Sequence, residues 1–307
     1  MAELKHKSVT VRVPATSANL GPGFDCLGMA LDLWNSVHME VGQGASVLVT
    51  GQGADELPHN TSNLVIQAAH KAFHKAGVEP PALKLHSRNM IPLSRGLGSS
   101  SAAIVGGLVA ANALMGEPLT RKDVLALAVE MEGHPDNVTP ALLGGFRIVV
   151  QNEGQVETIA VPVPEGLHAV LLIPDMPLAT SEMRAVLPKT VPMADAVFNT
   201  GRAALLVGAF ATGNFDVLRV ATQDRLHQPH RQKVYRAMKI VFRQALVGGA
   251  LGVFLSGAGS TILALTKGAE MTVAYEMFEA ARLCGHEESD VKVVRPSPIG
   301  AHVIDLE

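Results

Sequence analysis

The sequence has only two cysteines, Cys26 and Cys284, among its 307 residues. Two cysteines cannot form a disulfide framework or a four-sulfur zinc site, and their scarcity favours a reducing, cytoplasmic compartment. An excess of charge of one sign is also lacking, because the net charge is −3. The sequence therefore predicts no nucleic acid or anionic membrane as a principal partner. Its apolar runs are shorter than the ~18 residues that span a bilayer, and its charged start is unlike a signal peptide.

Apolar residues are plentiful, at 48%, and charged residues make up 17%, which is typical of a well-packed globular protein. At about 100–200 residues per domain, the length predicts two domains. The proline-containing segment 161–166 precedes a strand-like stretch and suits a boundary. We therefore predict domains at 1–163 and 164–307.

Strand-like and helical patterns are mixed without strict alternation, which predicts an α+β protein rather than one doubly wound sheet. Period-two or β-rich stretches predict strands over 8–13, 46–50, 146–150, 168–173, 261–265 and 291–294. Apolar residues at helical spacing predict helices over 63–76, 120–131, 194–212, 231–246 and 268–284. Ser62 is expected to cap the first of these, and Thr120 with Asp123 the second.

A glycine- and serine-rich loop stands between a predicted strand end at 91–94 and a further predicted helix. Gly96 and Gly98 allow positive φ and let the backbone approach a bulky anion closely. The serines at 99–101 then open the helix, whose N-terminus presents unpaired N–H groups to a phosphate. A plain turn with a good cap is the alternative, but the whole ordered pattern favours phosphate binding. Neither the Walker pattern nor Gly-x-Gly-x-x-Gly is present.

Four segments together resemble one known family. Pro92–Ala102 resembles the ATP-binding signature of the GHMP kinases, which phosphorylate galactose, homoserine, mevalonate and phosphomevalonate. Pro14–Gly28 is similar to the family's first motif in the form found in homoserine kinases, and Leu255–Thr261 resembles the C-terminal glycine-rich motif. Gly133–Gly145 is also similar to homoserine kinases. The resemblance implies a ribosomal S5 domain 2-like N-terminal domain and a ferredoxin-like C-terminal domain.

The resemblance also implies a reaction. ATP would phosphorylate the hydroxyl of L-homoserine to give O-phospho-L-homoserine, a step of threonine synthesis, with Mg²⁺ present and a homodimer as a plausible assembly. Two alternatives remain open. One is a GHMP kinase of mevalonate-like or sugar substrates, and the other is a catalytically silent ligand-binding relative, against which the loop serines and Glu132 argue.

The residues expected to bind ATP follow from the matched motifs. Asn63 is expected at the adenosine, although it could equally be a helix cap. Ser100 and Glu132 are expected at the metal, since Mg²⁺ prefers hard oxygen ligands. Glu130 is the open alternative to Glu132, but it more easily reads as a solvated helix charge. The full predicted ATP set is Asn63, Pro92, Leu93, Ser94, Arg95, Gly96, Leu97, Gly98, Ser99, Ser100, Ser101, Ala102, Gly257 and Gly259.

The acceptor site is expected to match an amino acid, because a planar arginine fork binds a carboxylate through two parallel hydrogen bonds. The predicted acceptor set is Asn19, Asp25, Asp136, Arg184 and Arg231. Asp136 and Asn137 are also the predicted catalytic pair. Asp136 could be a general base or a positioning group; we favour positioning, because a loose phosphoryl-transfer transition state does not require a strong base.

Two pairs of histidines are candidate metal ligands. His70 and His74 are four residues apart on a predicted helix, and His227 and His230 are close in sequence. No Glu lies inside the first pair, and neither cysteine has ligand spacing. We therefore expect solvated or hydrogen-bonded histidines.

Overall fold

The computed structural model describes residues 4–307, so the first three residues of the charged N-terminal segment lie outside the described part of the chain. The described strands form two sheets. They are β1 (Ser8–Ala18), β2 (Leu27–Val41), β3 (Ser46–Gly51), β4 (Leu83–Asn89), β5 (Phe146–Asn152), β6 (Gln155–Val161), β7 (His168–Ile173), β8 (Gly252–Leu255), β9 (Ile262–Thr266), β10 (Asp290–Val294) and β11 (His302–Leu306).

The larger sheet has seven strands. Its main order is β11-β1-β2-β4-β3, and β5 pairs with both β2 and β6. Only the β3–β4 pair is parallel among these described ladders. The smaller sheet has the antiparallel order β10-β7-β9-β8. Numbered from β7, that order is 4-1-3-2, with helices in both crossovers, which confirms the expected ferredoxin-like arrangement.

The helices are α1 (Leu64–Lys75), α2 (Ser99–Leu114), α3 (Arg121–Glu132), α4 (Pro135–Leu143), α5 (Thr180–Ala185), α6 (Met193–Thr212), α7 (Leu218–Ala221), α8 (Gln228–Arg231), α9 (Met238–Val247) and α10 (Glu270–Leu283). Within residues 4–307, none is both long and apolar enough to cross a membrane. α2 is the central helix, and all of its residues from Ile104 to Leu114 are buried.

Two glycines inside α2 show why this helix can pack so closely. A Cβ on Gly107 would collide with the Val65 carbonyl of α1, and one on Gly106 would crowd the Val37 side chain of β2. In helix interiors glycine costs about 1 kcal/mol relative to alanine. The close approach of α1 and β2 is the structural reason for these glycines.

The chain passes from the larger sheet to the smaller one between β6 and β7. β6 ends at Val161 and β7 begins at His168, on either side of the predicted boundary between 163 and 164. The last strand is an exception, because β11 returns to pair with β1 in the larger sheet. The division into 1–163 and 164–307 stays a prediction.

All six predicted strands are present, and so are five of the six predicted helices, including the one that follows the glycine- and serine-rich loop. The helix predicted over 231–246 is wrong at its start, since α8 ends at Arg231 and α9 begins at Met238. The strand predicted over 8–13 is longer than expected and extends into the first motif. β1 continues to Ala18, and the register shift after Pro14 is a bulge, a place in a sheet that tolerates proline.

Of the two helix caps predicted from the sequence, one is confirmed and one is wrong. Thr120 and Asp123 form the expected capping box of α3. Ser62 is not the cap of α1; Asn63 is, because its side chain accepts a hydrogen bond from the Val65 N–H.

Candidate active site

The glycine- and serine-rich loop lies between a strand and a helix, β4 and α2, as the sequence predicts. The strand ends at Asn89, however, and not at 91–94 as expected. Gly96 and Gly98 have φ values of 73° and 69°, in the region that favours glycine. A Cβ on Gly98 would collide with the Thr16 hydroxyl, and one on Gly96 with the Ser256 carbonyl. Gly98 is the N-cap of α2 and supplies no side-chain cap, so the first-turn N–H groups remain for an anion.

Hydrogen bonds hold this loop between two distant motifs. The Ser256 hydroxyl donates to the Gly96 carbonyl over 2.7 Å and accepts from the Ser17 hydroxyl at 2.8 Å. The Thr261 N–H donates to the Arg95 carbonyl, and the Thr16 N–H to the Leu97 carbonyl. Both the first motif and the C-terminal glycine-rich motif therefore fix the backbone of the loop.

A cavity of about 500 Å³ runs along the loop. Its lining includes the mainly apolar group Val49, Leu57 and Asn63 and the charged residues Asp136 and Arg231. The predicted site residues in its wall are Asn19, Asn63, Leu93, Ser94, Arg95, Gly96, Leu97, Gly98, Ser99, Ser100, Glu132, Asp136, Asn137, Arg184, Arg231 and Gly257. Pro92, Ser101, Ala102, Gly259 and Asp25 lie outside that wall.

Glu132, the last residue of α3, lies against the start of α2. Its Oε1 accepts hydrogen bonds from the Ser100 hydroxyl at 2.7 Å and the Ser101 hydroxyl at 2.9 Å. Glu130 instead pairs with Lys71 over 2.8 Å, and its side chain is 65% exposed. The geometry places Glu132, and not Glu130, beside the loop.

Asp136 lies in the first turn of α4 and is only 2% exposed. Its carboxylate accepts a hydrogen bond from His134 Nδ1 at 2.9 Å, which raises the pKa of His134 above its ordinary value. The neighbouring Asn137 accepts a hydrogen bond from the Thr16 hydroxyl at 2.8 Å. Gly28 of β2 makes room for this turn, because a Cβ there would collide with the Asp136 carbonyl.

Asp25 and Arg184 form a bidentate ion pair with N–O distances of 2.6 and 3.0 Å. The pair raises the pKa of Arg184. Asn19 holds Asp25 in place, since its side chain accepts from the Asp25 N–H and donates to the Gly257 carbonyl. The ion pair lies at the edge of the main cavity and also lines a second one with His134.

Arg231 is deeply placed and only 1% exposed. Its Nη1 donates to the Gly257 carbonyl at 2.7 Å and to His227 Nδ1 at 3.1 Å, and its Nε donates to the Met183 carbonyl at 3.3 Å. Burial lowers the pKa of Arg231 to about 10, so the guanidinium stays charged at neutral pH.

Sequence reasoning missed several residues that support the site. Thr16 and Ser17 belong to the first motif but had no predicted role of their own. Phe24, which lies under the Arg184 and Arg231 guanidinium groups, had no predicted role either. No role at the site was predicted for His227. The sequence offered one signal of a contact with Arg231. His227 lies four residues before Arg231, and residues at this spacing can share a helix face.

Comparisons with known proteins agree with this geometry. A sequence model of the GHMP kinases N terminal domain matches residues 63–145, and one of the GHMP kinases C terminal domain matches residues 206–282. The homoserine kinase of Moorella thermoacetica is 44% identical over 294 residues, which cover 96% of this chain and 99% of that protein.

The chain belongs to the GHMP kinase family.

Solved structures extend the comparison to the whole fold of this GHMP kinase. The crystal structure of a homoserine kinase from Cytophaga hutchinsonii superposes with a TM-score of 0.86 at 31% identity, covering 98% of this chain and 99% of that one. An L. major mevalonate kinase in complex with R-mevalonate has a TM-score of 0.73 at 16% identity, covering 96% and 99%, and shows the shared fold alone. The two-domain α+β fold expected from the motifs is confirmed.

Proposed function

We propose that this GHMP kinase transfers the γ-phosphate of ATP to the hydroxyl of L-homoserine, giving O-phospho-L-homoserine for threonine synthesis. One observation carries the proposal: a single cavity joins the α2 N-terminus to buried groups of both charges, Asp136 and Arg231. The high identity to homoserine kinases over nearly the whole chain supports the same substrate.

The acceptor end suits a zwitterion. Homoserine carries a carboxylate, an ammonium group and a hydroxyl. Arg231, with Arg184 beside it, supplies donors for the carboxylate, and Asp136 and Asp25 supply acceptors for the ammonium. A sugar would leave buried charges unpaired, and mevalonate has no cation for the carboxylates, so both fit this set of charges less well.

The donor end suits ATP. The apolar and amide side chains around Asn63 would take the adenosine, and the loop with the α2 N-terminus would take the phosphates. The capping role of Asn63 is compatible with this, because the residue lines the cavity while its side chain caps α1.

The pair Ser100 and Glu132 fits Mg²⁺. Both supply hard oxygen atoms, and Mg²⁺ usually takes one or two protein ligands together with phosphate oxygens and water. Bound there, the cation would neutralise charge on the phosphates. The α2 N–H groups would stabilise the charge that develops on the transferred group.

Asp136 and Asn137 are the proposed catalytic pair at the junction of the two ends. The hydrogen bond from His134 fixes the Asp136 carboxylate, which we propose orients the acceptor without acting as a dedicated base. Thr16 fixes the Asn137 amide in the same way.

An acceptor panel tests the proposal. ADP release is measured with homoserine, mevalonate, shikimate and galactose at saturating Mg·ATP. Release well above background with homoserine is the expected result. A background rate with homoserine and turnover of another acceptor would contradict the substrate, and the absence of both turnover and Mg·ATP binding by calorimetry would support a silent relative instead.

The remaining expectations are part of the same proposal. We propose a reducing cytoplasm as the compartment and a homodimer as the assembly, the latter by similarity to the family. The division into domains at 163 and 164 is supported by the change of sheet between β6 and β7.

A further inference from the structure

His227 is a fully buried histidine beside the proposed acceptor site, and it has no role in the reaction described so far. It precedes α8 and lies between the first motif and Arg231. A buried imidazole normally costs free energy unless both ring nitrogens are satisfied. The inference about its role rests on the proposed function, since that role concerns binding of the homoserine carboxylate.

The hydrogen bonds of His227 determine its protonation. Nε2 lies 2.7 Å from the Gly21 carbonyl oxygen, which can only accept, so Nε2 carries the proton. Nδ1 lies 3.1 Å from Arg231 Nη1, which can only donate, so Nδ1 carries the lone pair. The geometry thus requires the neutral imidazole.

Burial of the ring is the main reason for this neutral state. The Phe24 ring stacks on the imidazole with centroids 5.3 Å apart. The nearest carboxylate, Asp224, lies 3.6 Å from Nε2, but its oxygens already accept hydrogen bonds from Asn199 and from backbone N–H groups of residues 226–228. The Arg231 charge also opposes protonation of the ring, whereas the charges of Asp224 and Asp25 favour it.

The neutral ring determines how the guanidinium faces the cavity. Nε of Arg231 donates to the Met183 carbonyl, and Nη1 donates to His227 and to the Gly257 carbonyl. Among residues 4–307, no group hydrogen-bonds to Nη2, and Arg231 lines the cavity. Since a guanidinium is planar, fixing Nε and Nη1 also fixes the direction of Nη2.

We propose that His227 is a positioning residue that holds Arg231 with Nη2 directed at the carboxylate of the acceptor substrate. A protonated His227 could not accept from Arg231, and the guanidinium would then be held only by the carbonyl oxygens of Met183 and Gly257. Carboxylate binding by a preoriented Nη2 group is stronger, because less side-chain freedom is lost on binding.

Two substitutions by amide side chains of similar size distinguish the roles of the two ring nitrogens of His227. In His227→Asn, the amide oxygen takes the place of Nδ1 and can accept from Arg231. In His227→Gln, the amide nitrogen takes the place of Nε2 and can donate to the Gly21 carbonyl, but no atom replaces Nδ1 as an acceptor for Arg231 Nη1. We expect His227→Gln to raise KM for homoserine by about 10-fold or more, and His227→Asn to raise it much less. KM for ATP and kcat should stay within about twofold of wild type in both, since only binding of the acceptor changes.

Homoserine-dependent turnover of the wild-type enzyme is measured first, and its absence would contradict the proposed function rather than the role of His227. With wild-type turnover present, equal KM changes in the two variants, or no change in His227→Gln, would overturn the inference. Because a buried substitution can impair folding, the tautomer is also measured in the wild-type enzyme by ¹⁵N-histidine NMR at pH 7. A protonated Nε2 with an unprotonated Nδ1 is expected, and a proton on Nδ1 would overturn the inference.

Discussion

The Ser100 hydroxyl donates to Oε1 of Glu132 over 2.7 Å, which joins the first turn of α2 to the last residue of α3. The two residues are 32 positions apart in sequence but supply neighbouring oxygen atoms at the phosphate-binding loop. A cation bound there would contact the protein through this pair, so the charge of Glu132 should matter more than its hydrogen bonds.

We expect Glu132→Gln to lower kcat/KM by about 100-fold and to raise the Mg²⁺ concentration needed for half-maximal activity. The amide oxygen can still accept from the serines, so the fold should persist. The measurement is a Mg²⁺ titration of initial rates. Glu130→Gln is the matched control and should stay within about twofold, because an exposed ion pair with Lys71 contributes little. Similar losses in both variants would contradict the assignment.

Replacement of Arg184 by methionine should raise KM for homoserine at least about tenfold and leave KM for ATP nearly unchanged. The reason is that Arg184 lies at the acceptor end of the cavity, beside Asp25. The assay is a pair of initial-rate series in which one substrate is varied. Arg243→Met, at an exposed arginine of α9, serves as the control. Equal effects on the two KM values would show that Arg184 acts on the fold instead.

The variant Asp136→Asn distinguishes a positioning role of the Asp136 carboxylate from a role as general base. A near-normal kcat with a raised KM for homoserine is expected, because the loose transition state needs alignment more than proton removal. The measurement is a pH–rate profile of both kcat and kcat/KM. Collapse of kcat at every pH would identify Asp136 as a general base.

We expect Gly98→Ala to destabilise the protein by more than about 2 kcal/mol and to abolish ATP binding. Alanine would be strained at a φ of 69°, and its Cβ would collide with the Thr16 hydroxyl. Gly77→Ala is the matched control, since Gly77 has a φ of 72° but no atom within 4 Å of an added Cβ. That control should lose only about 1 kcal/mol and retain ATP affinity. Chemical denaturation and calorimetry with Mg·ATP measure the two effects, and equal losses would show that backbone strain alone decides.

Acid should destabilise the protein partly through His227. Burial lowers the pKa of this histidine from its ordinary 6.5 to about 4. Between these pH values the unfolded chain binds a proton that the folded chain does not, so stability falls as the pH falls. Below pH 4 the loss from this group reaches on the order of 3 kcal/mol. The measurement is the free energy of unfolding against pH, and His227→Asn should show a shallower decline between pH 6.5 and 4. Parallel curves would contradict a neutral buried ring.

Features that depend on neighbouring residues could be predicted from the sequence. The α3 cap needs only Thr120 and Asp123, which are three positions apart, and the phosphate-binding loop needs only its own glycines and the helix that follows. These elements were predicted because their signals lie within a few residues, where backbone conformation is decided locally.

Features that depend on distant contacts could not be predicted. β2 carries polar residues on a partly exposed surface and is specified by pairing with β1, β4 and β5. β11 is a strand because β1 is available nearly 300 residues earlier. For the same reason, the role of His227 depends on Gly21, which is 206 positions away. The acceptor residues themselves came from resemblance to the family, since nothing local distinguishes Arg231 from a surface arginine.

Two adjacent residues of the C-terminal glycine-rich motif serve both halves of the site. Ser256 donates to the loop at Gly96, while the Gly257 carbonyl accepts from Asn19 and from Arg231. A ligand that stabilises this turn from the loop side therefore also stabilises it for the acceptor residues, and the reverse holds as well. The consequence is reciprocal linkage between unlike ligands: by whatever factor ATP tightens homoserine binding, homoserine must tighten ATP binding by the same factor.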